Sequence, residues 1–338
     1  MKKEASKEEV CLVEQTINRL GFCTNTVKNS TRTIISITGN PDQAIVYYLE
    51  NLPGVAEIIK ATKSYILVTK QFHSGKSVIK VGSAEIGGSE LAVIAGPCAV
   101  ESKEQVLKTA AVVAKSGAKF FRGGAFKPRT SPYSFQGLGE DGLKMLAEVR
   151  ERFGLNIITE AMDERGVDLV IKYADCVQIG ARNMQNFSLL KYVGRLNIPV
   201  LLKRGMSATL DEFLLAAEYI MSEGNHNIIL CERGIRTFST HARNTLDLSI
   251  VPAVQNISHL PIVVDPSHGT GRNYMVAPLA KASVAVGADG LMLEVHPCPE
   301  EALCDGAQAL TFDQYTKLYE EVLEIRKVSC EKTANLTM

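Results

Sequence analysis

The chain has 338 residues, of which 46% are hydrophobic and 22% charged, values typical of a soluble globular protein with a substantial core. Its 37 basic and 37 acidic residues balance, so no overall field favours nucleic acid or an anionic membrane, and any anion site has to be local. No apolar run approaches the roughly 20 residues that a bilayer requires, and the N-terminus MKKEASKEEV lacks the apolar segment of a secretory signal. Eight scattered cysteines without a CxxC pair suit reduced thiols, so we expect a cytoplasmic protein that binds neither nucleic acid nor membrane.

Residues 1–75 form the first of the two domains that the length and the pattern indicate. This segment indicates a small α+β, ferredoxin-like βαββαβ domain whose first strand is absent or very short. Because a small sheet with an open edge is usually covered, we expect a partner subunit or the second domain against it. The Gly/Ser-rich segment 73–90 predicts the linker and a short hairpin. The predicted elements are, in chain order, a helix over 7–20, an alternating strand over 31–38, a helix over 41–51, and extended stretches near 55–61 and 65–72.

From residue 91 onward, short strands rich in Val, Ile and Leu alternate with helical patterns such as 102–117 and 209–225. The strands are apolar almost throughout, as parallel strands buried on both faces are. Eight such units over about 240 residues predict that residues 76–338 form a (β/α)8 TIM barrel; a doubly wound open sheet is the less favoured alternative. The eight predicted strands cover 91–98, 119–126, 156–162, 175–181, 199–205, 227–234, 261–269 and 290–297.

Each predicted strand begins apolar and ends on a polar or ionisable side chain, at the end of a barrel where chemistry collects. Cations at these ends and in the constrained loop FKPRTSP (126–132) would repel one another, and a multiply charged anion such as phosphate would relieve that repulsion. Thr130 and Ser131 add hydroxyl groups to the loop. For each cation singly, a salt bridge to a neighbouring acid is the alternative. The strand-end residues are Cys98, Arg122, Glu160, Arg182, Lys203, Arg233, His268 and Glu294, and the cations are Arg122, Lys127, Arg129, Arg182, Lys203 and Arg233.

A second set of strand-end residues has the character of metal ligands. Cys98, His268 and Glu294, with Asp305 as a further candidate, follow strands that become neighbours when the barrel closes. A thiolate, an imidazole and carboxylates would accept Mn²⁺, Fe²⁺, Co²⁺ or Zn²⁺ without strong preference. Nearby Cys298, Cys304 and His296 compete as ligands, and Cys98 and His268 could each be structural instead.

Several motifs together resemble the 3-deoxy-D-arabino-heptulosonate 7-phosphate (DAHP) synthase family, in its short form with an N-terminal ferredoxin-like domain. The resemblance implies a metal-dependent transferase that condenses phosphoenolpyruvate with erythrose 4-phosphate and releases phosphate, the first step of the shikimate pathway and of aromatic amino acid biosynthesis. The motifs are AGPCAVES (95–102), RGGAFKPRTSPYSFQGLG (122–139), QIGARN (178–183), LLKRG (201–205), DPSHGTG (265–271) and LMLEVHP (291–297).

The resemblance also implies roles for individual residues. Phosphoenolpyruvate would be held by Arg122, Lys127, Ala181, Arg182, Lys203 and Arg233, and erythrose 4-phosphate by Arg129, Thr130 and Ser131. One divalent ion, with Mn²⁺ preferred over Fe²⁺, Co²⁺ or Zn²⁺, would be held by Cys98, His268, Glu294 and Asp305 and act as a Lewis acid. We assign catalysis to Lys127, Cys98 and His268, with Glu160 or a metal-bound water handling protons.

The main alternative is a sibling enzyme, 3-deoxy-D-manno-octulosonate 8-phosphate synthase, which takes a five-carbon aldose phosphate. That sibling carries a KANRSS-type loop where this chain has KPRTS, and its metal-independent forms have Asn at the position of Cys98. A non-catalytic sugar-phosphate sensor and a metal-dependent barrel hydrolase or class II aldolase are further alternatives. For residues 1–75 the resemblance implies feedback inhibition by tyrosine or phenylalanine, bound between domains of different subunits in a dimer or tetramer; a packing module without a ligand is the alternative.

Overall fold

The computed structural model describes residues 1–28, 33–38, 41–59, 65–128 and 131–335. Contacts within it divide the chain into two compact units, Met1–Gly75 and Lys76–Met338. None of the helices in the described part of the chain is both long and apolar enough to cross a membrane.

The first unit consists of two helices and a two-stranded antiparallel sheet in its described residues. Ser6 begins the first helix with a reciprocal capping box formed with Glu9, and the buried side chains of Val13, Ile17 and Leu49 form the centre of a small core. The elements are α1 (Lys7–Arg19), β1 (Cys23–Lys28), β2 (Thr33–Thr38) and α2 (Gln43–Glu50), with β1 paired to β2.

Three features of the first unit differ from the sequence-based expectation. The sequence does not predict the strand β1, because CTNTVK is polar and has no clear apolar alternation. The sequence predicts an extended stretch at 65–72, and this prediction is wrong: hydrogen bonds such as Thr69 N to Ile66 O and Phe72 N to Thr69 O make it a series of turns. Residues 55–59 form no strand, and the remainder of that predicted stretch lies outside the described residues.

The second unit is a closed barrel of eight parallel strands, which confirms the predicted TIM barrel and excludes the open sheet. The first and last strands pair directly, from Ala92 against Gly290 to Gly96 against Glu294, and this pairing closes the cylinder. The strands are β5 (Ala92–Gly96), β6 (Phe120–Arg122), β7 (Asn156–Ala161), β8 (Cys176–Ile179), β9 (Val200–Lys203), β10 (Ile228–Glu232), β11 (Ile262–Val264) and β12 (Gly290–Glu294).

Helices follow the strands around the outside of the barrel, and several begin at residues that the sequence marks as caps. Ser102 caps α3 and Thr209 caps α7, in the two segments where the sequence predicts helices. The helices are α3 (Lys103–Ser116), α4 (Glu140–Phe153), α5 (Glu164–Tyr173), α6 (Phe187–Gly194), α7 (Leu210–Ser222), α8 (Ile250–Ile257), α9 (Pro266–Thr270), α10 (Asn273–Ala285) and α11 (Phe312–Asn335).

A short hairpin precedes the barrel, as the sequence predicts, and contributes to its core. It consists of β3 (Ile79–Val81) and β4 (Ala84–Ile86), and the two strands are antiparallel. The side chains of Ile79, Val81 and Ile86 are buried in one cluster with barrel residues such as Ala92 and Phe120, at or near the beginnings of their strands. The hairpin therefore fills the N-terminal end of the cylinder and leaves the polar strand ends at the opposite side.

Candidate metal and substrate site

The C-terminal ends of the barrel strands carry the polar residues that the sequence analysis identified. Arg122, Lys203 and Glu294 are the last residues of their strands, and Arg233 follows directly after β10. Cys98 and His268 lie two and four residues beyond β5 and β11. Because all eight strands are parallel, these side chains meet at one face of the barrel.

Cys98 is positioned by a close approach between the segments that follow β5 and β6. The amide of Gly124 donates to the Cys98 carbonyl at 3.0 Å, and the amide of Val100 donates to the Gly124 carbonyl at 3.0 Å. A β-carbon on Gly96, whose φ is +155°, would lie 2.0 Å from the carbonyl oxygen of Arg122. Only glycine therefore fits at the end of β5, and this approach fixes the Cys98 thiol at the rim.

His268 lies on the short helix α9, which Asp265 begins. One carboxylate oxygen of Asp265 accepts from the backbone amide of His268 at 2.9 Å, and the other contacts His268 Nδ1 at 2.7 Å. Asp265 is fully buried. This pair of contacts orients the imidazole so that Nε2 faces Glu294 Oε1 at 3.0 Å and Asp305 Oδ2 at 3.9 Å.

Glu294 and Asp305 approach from the last strand and from the loop after it. Gln308 donates to Glu294 Oε2 at 2.7 Å, and the Glu294 amide donates to the Ser267 hydroxyl at 3.0 Å. Asp305 has φ +54° and is the one non-glycine residue with positive φ in the described ranges. Backbone strain of this kind concentrates at functional sites, and here it directs a carboxylate toward Cys98 Sγ at 3.5 Å.

Cys98, His268, Glu294 and Asp305 thus form one cluster, in which one ligand atom from each residue lies within 4.8 Å of every other. A thiolate, an imidazole and two carboxylates at this spacing fit a divalent transition metal. The competing ligands are engaged elsewhere: His296 contacts Glu101 at 3.2 Å and the Cys298 carbonyl at 2.8 Å, and the Cys298 thiol donates to Glu300.

Cys304 is the nearest further donor, with its sulfur 3.1 Å from that of Cys98. The hydrogen bond between them, reinforced by burial, raises the pKa of the Cys98 thiol, and the same bond lowers the pKa of Cys304 to about 7. A cation at the cluster would bind the Cys98 sulfur as a thiolate, so metal binding would release the proton of this thiol.

Two of the predicted cations contact residues of the ligand cluster directly. Arg122 is buried and donates to Glu294 at 3.3 Å, while Lys127 Nζ contacts Cys98 Sγ at 3.3 Å. Lys203 Nζ contacts Asp265 Oδ2 at 2.6 Å. Burial opposes the charged form of Lys127, yet Cys98 and other nearby groups raise its pKa above the ordinary value. Two of the predicted cations thus have acidic partners at the rim.

Arg182 and Arg233 differ, since neither forms an ion pair with a residue that the structure describes. Arg182 is exposed on the turn Ala181–Asn183, next to half-buried Ala181. Arg233 is buried, its contact is to the Gly234 carbonyl at 3.4 Å, and desolvation lowers its pKa. A buried guanidinium without an acidic partner is a favourable place for an anion.

The remaining predicted residues are Glu160 on β7 and three residues in the sequence between β6 and α4. Glu160 is the residue before the last of β7 and accepts from Gln178 at 2.9 Å. A β-carbon on Gly180 would lie 2.1 Å from Glu160 Oε1. Ser131 is exposed, and its hydroxyl accepts from the Tyr133 amide at 3.3 Å. The predicted residues Arg129 and Thr130 lie outside the described residues.

Two buried carboxylates near the site were not singled out from the sequence. Asp265 could have been recognised as a helix cap, because Asp is followed by Pro266, a residue type favoured at the first helical position, and stands three residues before His268. Glu232 is fully buried and accepts from Arg204 at 3.0 Å, and Arg204 also contacts Asp247 at 2.9 Å. This second network had no sequence signal, since its members are scattered among apolar strands and a loop.

A closed (β/α)8 barrel with a mixed sulfur, nitrogen and oxygen cluster beside buried cations defines a class of barrel able to hold a metal and an anion together. Comparison with known families narrows this class. Residues 69–330 match the DAHP synthetase I family, and residues 1–63 match the DAHP synthase ferredoxin-like domain. The chain belongs to the DAHP synthetase I family.

Individual relatives agree with this assignment. The chain is 47% identical over 325 residues to a phospho-2-dehydro-3-deoxyheptonate aldolase of Thermotoga maritima, covering 96% of each chain. A crystal structure of that aldolase (DAHP synthase) superposes with a TM-score of 0.78 at 46% identity, covering 97% of this chain and 96% of the other. A 2-dehydro-3-deoxyphosphooctonate aldolase of Syntrophotalea carbinolica is 34% identical, over 73% of this chain and 95% of its own length.

Proposed function

We propose that this chain is a DAHP synthase that condenses phosphoenolpyruvate with erythrose 4-phosphate and releases phosphate, the first step of the shikimate pathway. The observation that carries the proposal is the contact between the cation set and the cluster of Cys98, His268, Glu294 and Asp305. An enzyme that joins two phosphorylated substrates has to hold their charges together beside the reacting atoms. Family membership supports the same reaction.

The four-residue cluster would hold one divalent cation, for which we expect Mn²⁺, with Fe²⁺, Co²⁺ and Zn²⁺ as substitutes. The donor set supports this, because soft and hard ligands are mixed and His268 Nε2 faces the carboxylates. Such an ion would supply Lewis-acid polarisation of an oxygen on the aldose phosphate. Lys127, which contacts Cys98, would counterbalance the thiolate that metal binding requires.

Phosphoenolpyruvate would lie against Arg122, Lys127, Ala181, Arg182, Lys203 and Arg233. Arg233 supports this most directly, because it is buried and has no acidic partner among the described residues. Arg122 Nε is buried without a hydrogen-bond partner in the described structure and could donate to a bound anion. Opposite charge from the substrate would offset the repulsion among these cations, and their fixed positions would orient the enol carbon for attack.

Erythrose 4-phosphate would bind at the KPRTS loop through Arg129, Thr130 and Ser131, and Glu160 would handle a proton. Exposed Ser131 supports access from solvent. The four-carbon substrate is favoured over a five-carbon one because the ferredoxin-like domain and the higher identity align the chain with the heptonate aldolase rather than with the octonate aldolases.

A coupled assay tests the reaction. Consumption of phosphoenolpyruvate is followed with erythrose 4-phosphate and with arabinose 5-phosphate, each with Mn²⁺ and after exhaustive chelation. We expect turnover with the four-carbon substrate and Mn²⁺, and its loss by at least about 100-fold on chelation. Full activity in the chelated protein, or preference for the five-carbon substrate, would contradict the proposal.

Residues 1–75 would form a regulatory ferredoxin-like domain in a homo-oligomer, with tyrosine or phenylalanine as inhibitor, and residues 76–338 the catalytic barrel. The match to the ferredoxin-like domain of this family supports the first assignment. A truncated form of the Thermotoga maritima synthase has a solved structure that covers 78% of this chain, so a barrel without residues 1–75 is a reasonable comparison protein. Phosphate release is titrated with each aromatic amino acid in both proteins; inhibition confined to the full chain supports the assignment, and no response in either opposes it.

The cytoplasm remains the expected location. Cys98, Cys176 and Cys231 are buried cysteines that form no disulfide. Thiols that have to serve as metal ligands are maintained in a reducing compartment.

A further inference from the structure

One buried carboxylate oxygen connects the two halves of the site. Oδ2 of Asp265 contacts His268 Nδ1 at 2.7 Å and Lys203 Nζ at 2.6 Å, while Oδ1 accepts from the His268 amide. The Asp265 side chain is 0% exposed and that of Lys203 is 5% exposed, so water does not screen these contacts. Asp265 Oδ2 therefore contacts both His268, a residue of the four-residue cluster, and Lys203, one of the predicted cations.

The contact with Nδ1 determines which nitrogen of His268 is available. A carboxylate can only accept, so Nδ1 has to carry a proton, and Nε2 is then the nitrogen left to bind a cation placed between it, Glu294 and Asp305. Residues that fix a metal-binding imidazole in this way set its orientation and its basicity, and their loss costs roughly 10- to 100-fold in metal affinity.

The contact with Lys203 makes this effect depend on the anion site. An anion that binds Lys203 draws the ammonium away from Asp265 Oδ2 and leaves more of the carboxylate charge to the Nδ1 proton. A stronger bond at Nδ1 makes Nε2 a better electron donor to a cation. We infer that Asp265 is a positioning residue that couples metal binding at His268 to phosphoenolpyruvate binding at Lys203. Each ligand then raises the affinity of the protein for the other. This inference rests on the proposed function, because it takes phosphoenolpyruvate as the anion at Lys203.

The test measures two dissociation constants in the full chain. Mn²⁺ affinity is obtained by competition with a fluorescent chelator, with and without saturating phosphoenolpyruvate, and the ratio of the two values is the coupling factor. Coupling between sites is reciprocal, so the same factor has to appear when phosphoenolpyruvate is titrated with and without Mn²⁺. In the parent protein we expect a factor in the range of about 5 to 150.

The variant Asp265→Asn keeps the shape but presents an amide nitrogen, which cannot accept from Nδ1 or from Lys203 when the amide oxygen remains at the helix cap. We expect Mn²⁺ affinity to fall about 10- to 100-fold, and the coupling factor to fall at least about fivefold. The matched control is Glu232→Gln, which removes a fully buried carboxylate paired with Arg204 but in no side-chain contact with His268. Its Mn²⁺ affinity should stay within about threefold of the parent.

The outcomes separate the inference from the proposed function. A parent protein that binds no phosphoenolpyruvate refutes the proposed function itself. If the parent binds phosphoenolpyruvate but Asp265→Asn retains the parent's Mn²⁺ affinity, the positioning role is refuted. An unchanged coupling factor refutes the link to Lys203, even where Mn²⁺ affinity falls.

A measurement on the parent protein alone covers the case in which the variant does not fold. With Co²⁺ bound, an imidazole N–H next to the ion gives a proton resonance shifted far outside the ordinary range, and His268 is the one histidine in the cluster. We expect this N–H signal to be protected from solvent exchange and to shift when phosphoenolpyruvate is added. Absence of the signal, or no shift on saturation, would overturn the inference.

Discussion

Replacement of Glu294 by glutamine tests whether burial, rather than ion-pair distance, sets the strength of the interactions at this rim. Glu294 contacts Arg122 at 3.3 Å, and the two side chains are 1% and 5% exposed. The surface pair of Asp141 and Lys144 is closer, at 2.9 Å, but its side chains are 76% and 56% exposed. If distance decided the matter, the surface pair would be the stronger of the two.

The expected loss of unfolding free energy follows from the contacts that Arg122 loses in the Glu294→Gln variant. Besides Glu294, its guanidinium donates to the Pro97 carbonyl at 2.6 Å, and its Nε has no hydrogen-bond partner in the described structure. Removal of one partner from a buried ion pair costs about 3 to 5 kcal/mol, because the other charge stays buried without compensation. We expect the lower value, about 3 kcal/mol, since the glutamine amide oxygen retains part of the hydrogen bonding.

The assay is unfolding of the chelated protein, so that loss of a metal ligand does not contribute. For a domain of this size, 3 kcal/mol corresponds to a fall in Tm of roughly 6 to 12 °C, at about 2 to 4 °C per kcal/mol. Urea unfolding followed by circular dichroism should show a lower midpoint with an unchanged slope. The control Asp141→Asn should leave both midpoints unchanged. A chelated Glu294→Gln protein as stable as the parent would refute the reasoning, because Arg122 would then not depend on Glu294.

Three further changes test other parts of the structure. Truncation of Ile86 to alanine in the hairpin should destabilise the barrel by about 2 to 5 kcal/mol in urea unfolding, because the side chain is fully buried and leaves a cavity. Cys304→Ser should leave Mn²⁺ affinity within about threefold, whereas Cys98→Ser should lower it by at least about 100-fold in chelator competition, since only Cys98 belongs to the four-residue cluster. Gly180→Ala should lower kcat about 10-fold or more with little change in stability, because its β-carbon would displace the carboxylate of Glu160 and proton transfer by a positioned group is worth about 100-fold or more.

Each of these has a matched control. Val78 precedes the same hairpin but is 47% exposed, so Val78→Ala should cost much less than Ile86→Ala. A β-carbon on Gly88 would have its nearest neighbour at 3.9 Å, so Gly88→Ala should leave kcat unchanged. Equal Mn²⁺ affinity losses for both cysteine variants would make Cys304 a ligand, and unaltered kcat in Gly180→Ala would remove Glu160 from the reaction.

The sequence alone determined the barrel and the location of its polar end. Apolar strands that recur between amphipathic helices have few alternatives to a closed parallel barrel, because both faces of each strand have to be buried. Residues at the strand ends then face one rim whatever the details of packing, and for that reason Cys98, His268 and Glu294 could be grouped although they lie far apart in the chain. The same reasoning does not predict the polar strand β1, because its sequence shows no apolar alternation that would indicate its pairing with β2.

The tertiary structure decided which of these rim residues contact one another. The sequence offered Cys298, Cys304 and His296 as competitors of Asp305, and only the folded loop, with Asp305 in a left-handed conformation, shows that the Asp305 carboxylate lies within 4.8 Å of ligand atoms of Cys98, His268 and Glu294. The sequence also does not reveal that Lys203 and His268 both contact Asp265, because contacts at 2.6 and 2.7 Å depend on strand register and barrel closure. The chemical pattern along the chain specifies which side chains reach the rim. The strength of a hydrogen bond depends so steeply on distance and angle that its partners follow only from the packed fold.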